Sequence, residues 1–352
     1  MGKKTKENEP LITTIIPTYR RPKLLKRAIL SVLNQTYSNF QVCIYDNASG
    51  DETAEVVKKL SQKDPRVHYY CHSHNIGAWN NFNFGLKQIN TPYFSILSDD
   101  DILLPNFYEK AIKGFKKYQE AGFIATQTII ATGKKVLNIS CVDYEEKLYQ
   151  PPEGLLEISD SGLVTLTGIL FRKEVMGVGL LSEEGDGYFL LRISSVFQYS
   201  VLKFPGAIFF VHKLSLSSTW SEVEALDGYR KTLEKIKNSG KITDQIRKIV
   251  YQNVKRNIIN ILWSGGLIDI KKRNFSQVQK LAKSLKYDFG ENLKSIILYH
   301  RVKFCEFSNI FYYSFIIFNK IRKFFNIGRK LRDKELQNTY GIYLKYLDKY
   351  SE

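Results

Sequence analysis

The stretch TPYFSILSDDDILLP, residues 91–105, sets three carboxylates side by side directly after an apolar run. The run predicts a buried strand that ends at Ser98. Adjacent like charges repel, and each raises the pKa of its neighbours unless a positive group lies between them. We therefore predict that Asp99, Asp100 and Asp101 surround a divalent cation at the end of a core strand.

Strands and helices alternate along the chain before this stretch. The β-branched run LITTIIPTY is followed by RPKLLKRAILSVLNQ, whose apolar residues recur at helical spacing. FQVCIYD, ETAEVVKKLSQ, VHYYCH and FNFGLKQI continue the alternation. This pattern predicts an α/β fold in which right-handed βαβ units build a parallel sheet. Residues 120–170 hold extended pieces typical of an antiparallel addition, and the pattern from about residue 226 onward is mostly helical.

Polar residues stand where three of the predicted strands end. These groups are Pro17 to Tyr19, Asp46 to Ser49, and Ser98 to Asp101. Ligands of open parallel sheets bind at the carboxyl ends of the strands. We therefore expect the three groups to line one crevice.

The positive charge of the chain is concentrated in its last third. The formal net charge is +17, and residues 226–352 hold 27 Lys and Arg against 11 Asp and Glu. Residues 1–225 are almost balanced, with 25 against 24. The C-terminal part is therefore expected to face an anionic partner, either a phospholipid surface or a nucleic acid.

The chain start and the cysteines indicate a cytoplasmic protein. MGKKTKENEP is charged and lacks the apolar segment of a secretory signal. The four cysteines are widely spaced and form no CxxC pair, which argues against a disulfide framework or a thiolate zinc site.

Several motifs, taken in their order and spacing, resemble the family 2 glycosyltransferases of the GT-A fold. They are IIPTYRRPKLLKRAILSVLNQTYSNFQVCIYDNASGDET, NIGAWNNFNFGL, FSILSDDDILLP, EEGDGYFLLR and HKLSLSS, and they cover roughly residues 11–220. The resemblance implies a Rossmann-like, mostly parallel sheet with helices on both faces. We predict a flexible tail over residues 1–10, a GT-A catalytic domain over 11–225 and a helical, basic module over 226–352.

The resemblance also implies a nucleotide-sugar donor, most simply a UDP-sugar, and a bound Mn²⁺ or Mg²⁺. Asp46 would contact the uracil, although an aspartate that closes a turn is the alternative. Asp99 would contact the ribose or a metal-bound water, and a surface acidic turn is the alternative for the whole triplet. The predicted donor-binding residues are Pro17, Thr18, Tyr19, Arg20, Asp46, Asn47, Asp99 and Asp100, with Arg21 as a second candidate near the phosphates.

The predicted metal ligands are Asp100, Asp101 and His212. Asp100 aligns best with the family's ligand, and Asp101 is also expected to support the loop. Ser98 stands where the family usually has another Asp. His212 is a ligand in some family members, but a lone histidine can equally be packed or solvated. Lys213 is an alternative that would meet a phosphate.

The resemblance makes Asp186 the general base that deprotonates the acceptor hydroxyl. The family's usual Glu before this Asp is Gly185 here, and Glu184 is the nearest substitute. The alternative is an Asp placed at a helix N-terminus because the helix dipole favours it there.

Aromatic residues in the C-terminal region predict an amphipathic helix. Such a helix with basic flanks would lie in an anionic membrane interface, or it would pack against residues 244–263. The region lacks a zinc finger or RNP signature, so nucleic acid is the weaker partner. The stripe consists of Phe304, Phe307, Phe311, Phe315, Phe318, Ile321 and Phe325, flanked by Lys303, Lys320, Arg322, Lys323, Arg329 and Lys330.

The sequence therefore predicts a metal-dependent, inverting glycosyltransferase that acts on a glycan or lipid-linked glycan at the cytoplasmic face of the membrane. A nucleotidyltransferase would usually show a Gly-rich loop after the first strand, and PTYRRPKLL has no glycine. A non-catalytic nucleotide or glycan binder stays open because of Ser98 and Gly185. An oligomer also stays open.

Overall fold

The fold is described from a computed structural model. It describes residues 11–161, 165–182, 184–212, 215, 222–240, 242–290, 292–325 and 327–351. For residues 318, 320–325 and 327–330 it describes the backbone alone. The predicted tail, Lys213 and most of the basic flank of the aromatic stripe therefore lie outside the described residues or side chains.

The chain divides into two compact units. The first consists of Met1–Ile158, Leu163–His212 and Leu336–Glu352, and the second of Ser159–Gly162 and Lys213–Glu335. The chain end thus belongs to the first unit in the structure, whereas the sequence groups it with the helical module. The predicted domain boundaries at residues 10 and 225 remain predictions.

The described part of the first unit holds one ten-stranded sheet in the order β3-β2-β1-β4-β9-β6-β10-β5, with β7 beside β6 and β8 beside β10. The strands are β1 (Ile12–Thr18), β2 (Phe40–Asp46), β3 (Val67–Cys71), β4 (Tyr93–Ile96), β5 (Ile102–Leu103), β6 (Ala121–Thr132), β7 (Lys135–Ile139), β8 (Leu148–Tyr149), β9 (Ile169–Arg172) and β10 (Gln198–Phe210).

The connecting segments of this sheet are mostly helical. The α-helices are α1 (Pro22–Leu33), α2 (Thr53–Ser61), α3 (Ala78–Lys87), α4 (Phe107–Lys117), α5 (Glu153–Ser161) and α6 (Gly185–Ser194), and a 3₁₀ helix spans Lys173–Val178.

The sheet is mixed in the predicted way. β3, β2, β1 and β4 run parallel to one another, and β6 is parallel to β10. β9 joins the two groups because it pairs antiparallel with both β4 and β6. The α/β fold class and the antiparallel addition are therefore confirmed.

Helices cover both faces of the parallel part. Alternate residues of β1 and β2 pack into one apolar cluster with the buried faces of α1 and α4. On the opposite face, α3 approaches so closely that a Cβ at Gly85 would lie 2.8 Å from the Tyr45 ring and 3.3 Å from Ile15. Gly85 is therefore needed for this close approach.

The end of the chain packs on the first unit. Helices α12 (Ile327–Tyr340) and α13 (Lys345–Lys349) flank a 3₁₀ turn at Gly341–Leu344. The Val136 amide donates to Gln337 Oε1 over 3.1 Å. Three side chains from this segment complete an apolar cluster with β5, β6, β7 and β10, and they are Leu336, Leu347 and Tyr350.

The second unit is built from helices in its described part, as predicted. It contains α7 (Leu226–Lys237), α8 (Asp244–Lys271), α9 (Phe275–Tyr287), α10 (Leu293–Phe307) and α11 (Asn309–Phe325). Among the described residues, no helix has both the length and the apolar character needed to cross a bilayer.

The expectation of one continuous helix through the aromatic stripe is wrong. Ser308 is extended, with φ −144° and ψ 126°, and it separates α10 from α11. Its hydroxyl accepts a hydrogen bond from the Ile310 amide over 3.2 Å, so it caps the start of α11. The stripe is also divided between two environments, because Phe315 packs on the helical core whereas Phe304 and Phe311 are exposed.

Candidate active site

The ends of β1 and β2 lie side by side at the carboxyl edge of the sheet. Thr18 and Asp46 are paired in register, and the Asn47 amide donates to the Thr18 carbonyl over 3.0 Å. β4 pairs with the other side of β1, so the loop that follows it leaves the sheet at the same edge. The structure therefore brings the three predicted strand ends together.

Asp99 joins this loop to the end of β1. Its Oδ2 accepts a hydrogen bond from Thr18 Oγ1 over 2.7 Å. Its Oδ1 lies 3.1 Å from Arg21 Nη1, and the same nitrogen lies 3.1 Å from Asp100 Oδ2. Burial raises the pKa of Asp99 to about 6, although the Arg21 charge acts in the opposite direction.

Asp100 contacts His212, which follows strand β10 of the same sheet. His212 Nε2 lies 3.0 Å from Asp100 Oδ2, at the point where the chain leaves β10. The backbone of Asp100 is also held, because Arg27 Nη2 donates to its carbonyl over 2.6 Å. The predicted pair of Asp100 and His212 therefore lies together in space.

Arg27 is a site residue that the sequence reasoning missed. Its guanidinium is buried and lies 4.2 Å from the ring centroid of Phe210. Burial lowers its pKa, while Asp101, Asp100 and Asp348 act to raise it. A buried cation beneath the acidic loop offsets the repulsion among the carboxylates.

Asp101 faces the protein interior. Its side chain is fully buried, Oδ2 accepts from Thr167 Oγ1 over 2.5 Å, and Oδ1 accepts from the Phe210 amide over 2.9 Å. Burial and the neighbouring Asp100 raise its pKa well above the usual range. Because both oxygens are engaged by internal donors, this geometry favours a loop-supporting role over metal ligation.

Side chains of the protein itself lie between the three carboxylates and reduce their mutual repulsion. Arg21, Arg27 and His212 are the positive or ionisable groups that lie among the three carboxylates. Among the described residues, no three His, Cys, Asp or Glu side chains converge as a complete metal site. Asp100 and His212 supply one carboxylate and one imidazole. The carboxylate fits Mn²⁺ or Mg²⁺ when substrate phosphates complete the coordination, and the imidazole favours Mn²⁺.

Asp46 is engaged by its own turn. Oδ1 accepts from the Ser49 amide and hydroxyl over 3.0 and 2.6 Å, and Oδ2 accepts from the Tyr69 hydroxyl over 2.6 Å. The residue is only 2% exposed. The alternative of a turn-closing aspartate is therefore present in the structure. Oδ1 already accepts two hydrogen bonds and Oδ2 accepts one, so one lone pair is left on Oδ2. The uracil contact remains a prediction.

Asn47 organises the loop before α3. Its Oδ1 accepts from the Ile76 amide over 2.8 Å, and its Nδ2 donates to Asn75 Oδ1 over 2.9 Å. The loop then turns through Gly77, whose φ of 85° favours glycine. Both ends of the Asn47 amide are thus used within the protein.

The remaining donor-side residues flank the end of β1. Pro17 is buried within the strand, whereas Tyr19 is 37% exposed. Arg20 has a left-handed φ of 55°, and its Nε donates to the Ser49 carbonyl over 3.1 Å. Arg20 is therefore turned toward Ser49, and Arg21 is the arginine that meets the acidic loop.

Asp186 lies in the first turn of α6, and hydrogen bonds hold the backbone that precedes this helix. Arg192 donates to the carbonyls of Val178 (2.9 Å) and Leu180, and Asn83 Nδ2 donates to the Leu181 carbonyl over 2.8 Å. The surrounding protein raises the pKa of Asp186 to about 6 through desolvation. Its side chain is exposed to solvent.

Gly185, which stands where the family usually has Glu, adopts a left-handed backbone conformation. Its φ is 84°, which an L side chain rarely adopts. A Cβ at this position would lie 3.9 Å from Trp79 Cη2, so the indole lies beside the start of α6. Trp79, which the sequence reasoning did not select, is therefore a neighbour of the Asp186 turn.

The sheet, its crevice and the acidic loop are those of a GT-A fold, and residues 13–176 match the family described as Glycosyl transferase family 2. The match lies in the part of the chain where the motifs indicated it. The resemblance is therefore confirmed.

Named relatives and solved structures fall in the same class. Glycosyltransferase GlyA from Streptococcus pneumoniae serotype 4 is 24% identical over 82% of this chain and 43% of its own length. A Campylobacter jejuni GalNAc(5)-diNAcBac-PP-undecaprenol β-1,3-glucosyltransferase is 33% identical over 30% of this chain and 36% of its own. This chain therefore spans less than half the length of these curated relatives.

Two structural neighbours carry nucleotide sugars. S. aureus TarS 1-349 in complex with UDP-GlcNAc superposes with a TM-score of 0.60 at 14% identity, covering 83% of this chain and 90% of that one. The mannosyltransferase PcManGT from Pyrobaculum calidifontis, in complex with GDP-Man and Mn²⁺, gives 0.52 at 13% identity, covering 96% and 89%. At these identities the likeness shows the fold.

Proposed function

We propose that this protein transfers a sugar from a nucleoside-diphosphate donor, most simply a UDP-sugar, to an acceptor hydroxyl of a glycan or lipid-linked glycan. The observation that carries the proposal is the meeting of Thr18, Arg21, Asp99, Asp100 and His212 at one strand edge. The crevice of this family 2 domain thus combines cations, hydroxyls and carboxylates, which are the groups that a pyrophosphate and its counter-ion require.

The donor half of the crevice would hold the diphosphate. Arg21 can reach a phosphate from its position above Asp99 and Asp100, and Thr18 holds Asp99 in place. Asp100 and His212 would hold Mn²⁺ or Mg²⁺, which as a Lewis acid would stabilise the charge on the departing diphosphate. Arg27 keeps the Asp100 backbone fixed from below.

Asp186 would serve the acceptor half as general base. Its carboxylate takes the proton of the acceptor hydroxyl, whose oxygen forms a bond to the anomeric carbon. The bond from that carbon to the diphosphate oxygen breaks at the same time, and its electron pair leaves with the diphosphate. A single displacement of this kind inverts the anomeric configuration, and a positioned base is typically worth about 10² to 10⁴ in rate.

We place the acceptor at a membrane. One relative is named for an undecaprenol-linked substrate, and the basic C-terminal region favours an anionic surface. The enzyme would then act peripherally at the cytoplasmic face of the cell membrane.

A panel of nucleotide sugars tests the proposal. Thermal-shift measurements with UDP-, GDP- and TDP-sugars, with Mn²⁺ or with EDTA, identify the donor, and release of the nucleoside diphosphate measures transfer. We expect stabilisation and turnover by one sugar nucleotide in the presence of Mn²⁺. Asp100→Asn should lose both effects, whereas the exposed control Asp143→Asn should keep them.

The other candidate functions predict different results. A non-catalytic binder would be stabilised by the sugar nucleotide but would release no nucleoside diphosphate with any acceptor. A nucleotidyltransferase would instead consume a nucleoside triphosphate and release pyrophosphate. Either result would contradict the proposed transfer.

A further inference from the structure

The junction between α10 and α11 exposes large apolar side chains. Phe307, the last residue of α10, is 90% exposed, and Ile310 in the first turn of α11 is 76% exposed. Phe304 and Phe311 are each about half exposed, and their ring centroids lie 5.3 Å apart. We call these four residues the aromatic tip.

The exposure of the aromatic tip is selective. Tyr312, the neighbour of Phe311, is buried in the helical core, and its hydroxyl donates to the Lys271 carbonyl over 2.9 Å. The same short segment thus directs one aromatic ring into the core and the adjacent ring into solvent. Contiguous exposed apolar side chains of this size mark an interaction surface.

Exposed cationic residues lie near the aromatic tip. Arg273 Nη2 donates to Asn309 Oδ1 over 3.2 Å, and its guanidinium lies 5.7 Å from the ring centroid of Tyr313. Lys303 precedes Phe304 and is exposed. The nearby Glu306 carboxylate accepts from Gln279 over 2.7 Å. We call the exposed Lys271, Lys272, Arg273 and Lys303 the basic rim.

A surface depression lies beside the aromatic tip. It has a volume of about 440 Å³, and its lining combines phenyl rings with cationic and ionisable groups, namely His300, Lys303, Phe304, Glu306 and Phe307. The volume falls in the range of small-molecule sites. Apolar walls next to a cation match a phospholipid, whose phosphate and acyl chain are joined in one molecule.

We infer that the aromatic tip inserts into the interfacial region of an anionic phospholipid bilayer while the basic rim contacts the headgroup phosphates. Amphipathic helices with this distribution bind bilayers through buried apolar area and attraction to anionic lipids. The inference deepens the proposed function, because a lipid-linked acceptor would lie in the same bilayer. It differs from a general attraction of the basic region, since it assigns the contact to four named side chains.

Vesicle flotation with the full-length chain tests the inference. The probes are vesicles of phosphatidylcholine alone and vesicles of phosphatidylcholine with phosphatidylglycerol. The variants are Phe307→Asp and Ile310→Asp on the aromatic tip and Leu293→Asp as a matched control. Leu293 is 72% exposed and lies at the opposite end of α10.

We expect the unchanged chain to float with the anionic vesicles, and Phe307→Asp to lower the partition coefficient at least about tenfold. Leu293→Asp should bind like the unchanged chain. Replacing Arg273 or Lys303 by Gln should weaken binding about fivefold each, with the effect lost at high salt. Circular dichroism melts of each variant establish that it is folded.

Two results would overturn the inference. In the first, the chain fails to float, or Phe307→Asp and Leu293→Asp float equally well. In the second, the aromatic tip mediates a dimer. Light scattering would then give the mass of two chains for the unchanged protein and of one chain for Phe307→Asp. Flotation needs no turnover, and transfer to a water-soluble acceptor should be unchanged in Phe307→Asp, so failure here is distinguishable from failure of the proposed transfer.

Discussion

Replacing Asp101 and replacing Asp100 are predicted to harm different properties. Asp101→Ala removes the acceptor of the Thr167 hydroxyl and of the Phe210 amide, both at a fully buried carboxylate. Each donor left unsatisfied costs about 1–3 kcal/mol, so the free energy of unfolding should fall by about 2–6 kcal/mol. Asp101→Asn keeps one acceptor oxygen and the shape of the side chain, so the free energy of unfolding should fall by only about 1–3 kcal/mol.

Two assays separate these effects. Urea denaturation without metal measures stability, and electron paramagnetic resonance measures Mn²⁺ binding. Asp100→Asn should lose Mn²⁺ binding with a smaller change in stability than Asp101→Ala, because its partners Arg21 and His212 retain contact with solvent. Loss of Mn²⁺ binding in a stable Asp101→Asn protein, with binding kept in Asp100→Asn, would refute this division of roles.

Three further changes test other parts of the account. Arg21→Gln removes the cation between Asp99 and Asp100, so the affinity for Mn²⁺ in the absence of a nucleotide sugar should rise about fivefold. Unchanged Mn²⁺ binding in electron paramagnetic resonance would contradict this. Leu347→Ala removes a buried side chain of the chain end and should destabilise the first unit by about 2–5 kcal/mol in urea denaturation, whereas an unaltered midpoint would show that this contact is not formed. The rate of transfer should rise with pH through about 6, because Asp186 must lose its proton to act as base and desolvation raises its pKa to about 6. A flat pH–rate profile between pH 5 and 8 would oppose that role.

The sequence determined the sheet and the position of the acidic loop. Alternating patterns placed Thr18, Asp46 and Asp99 at strand ends, and the register of parallel strands then brings such ends together. The direction of each carboxylate did not follow from the pattern. Asp101 turns inward because Thr167 and Phe210, far away in the chain, offer donors there.

Other features depended on contacts that helical spacing does not specify. Leu347 and Tyr350 have the spacing of any amphipathic turn, and the surface against which they pack is set by the tertiary fold. Arg27 lies among apolar residues on the buried face of α1. An arginine at such a position could have been recognised from the sequence as a buried cation. Ser308 could also have predicted the break between α10 and α11, since serine is a favoured residue before a helix start.

The most direct test of the central claim is single-turnover transfer by Asp186→Asn at saturating donor. We expect the affinity for the nucleotide-sugar donor to stay within about twofold while the transfer rate falls at least about hundredfold. Transfer at the unchanged rate, with the donor bound equally well, would show that another group deprotonates the acceptor and would contradict the account.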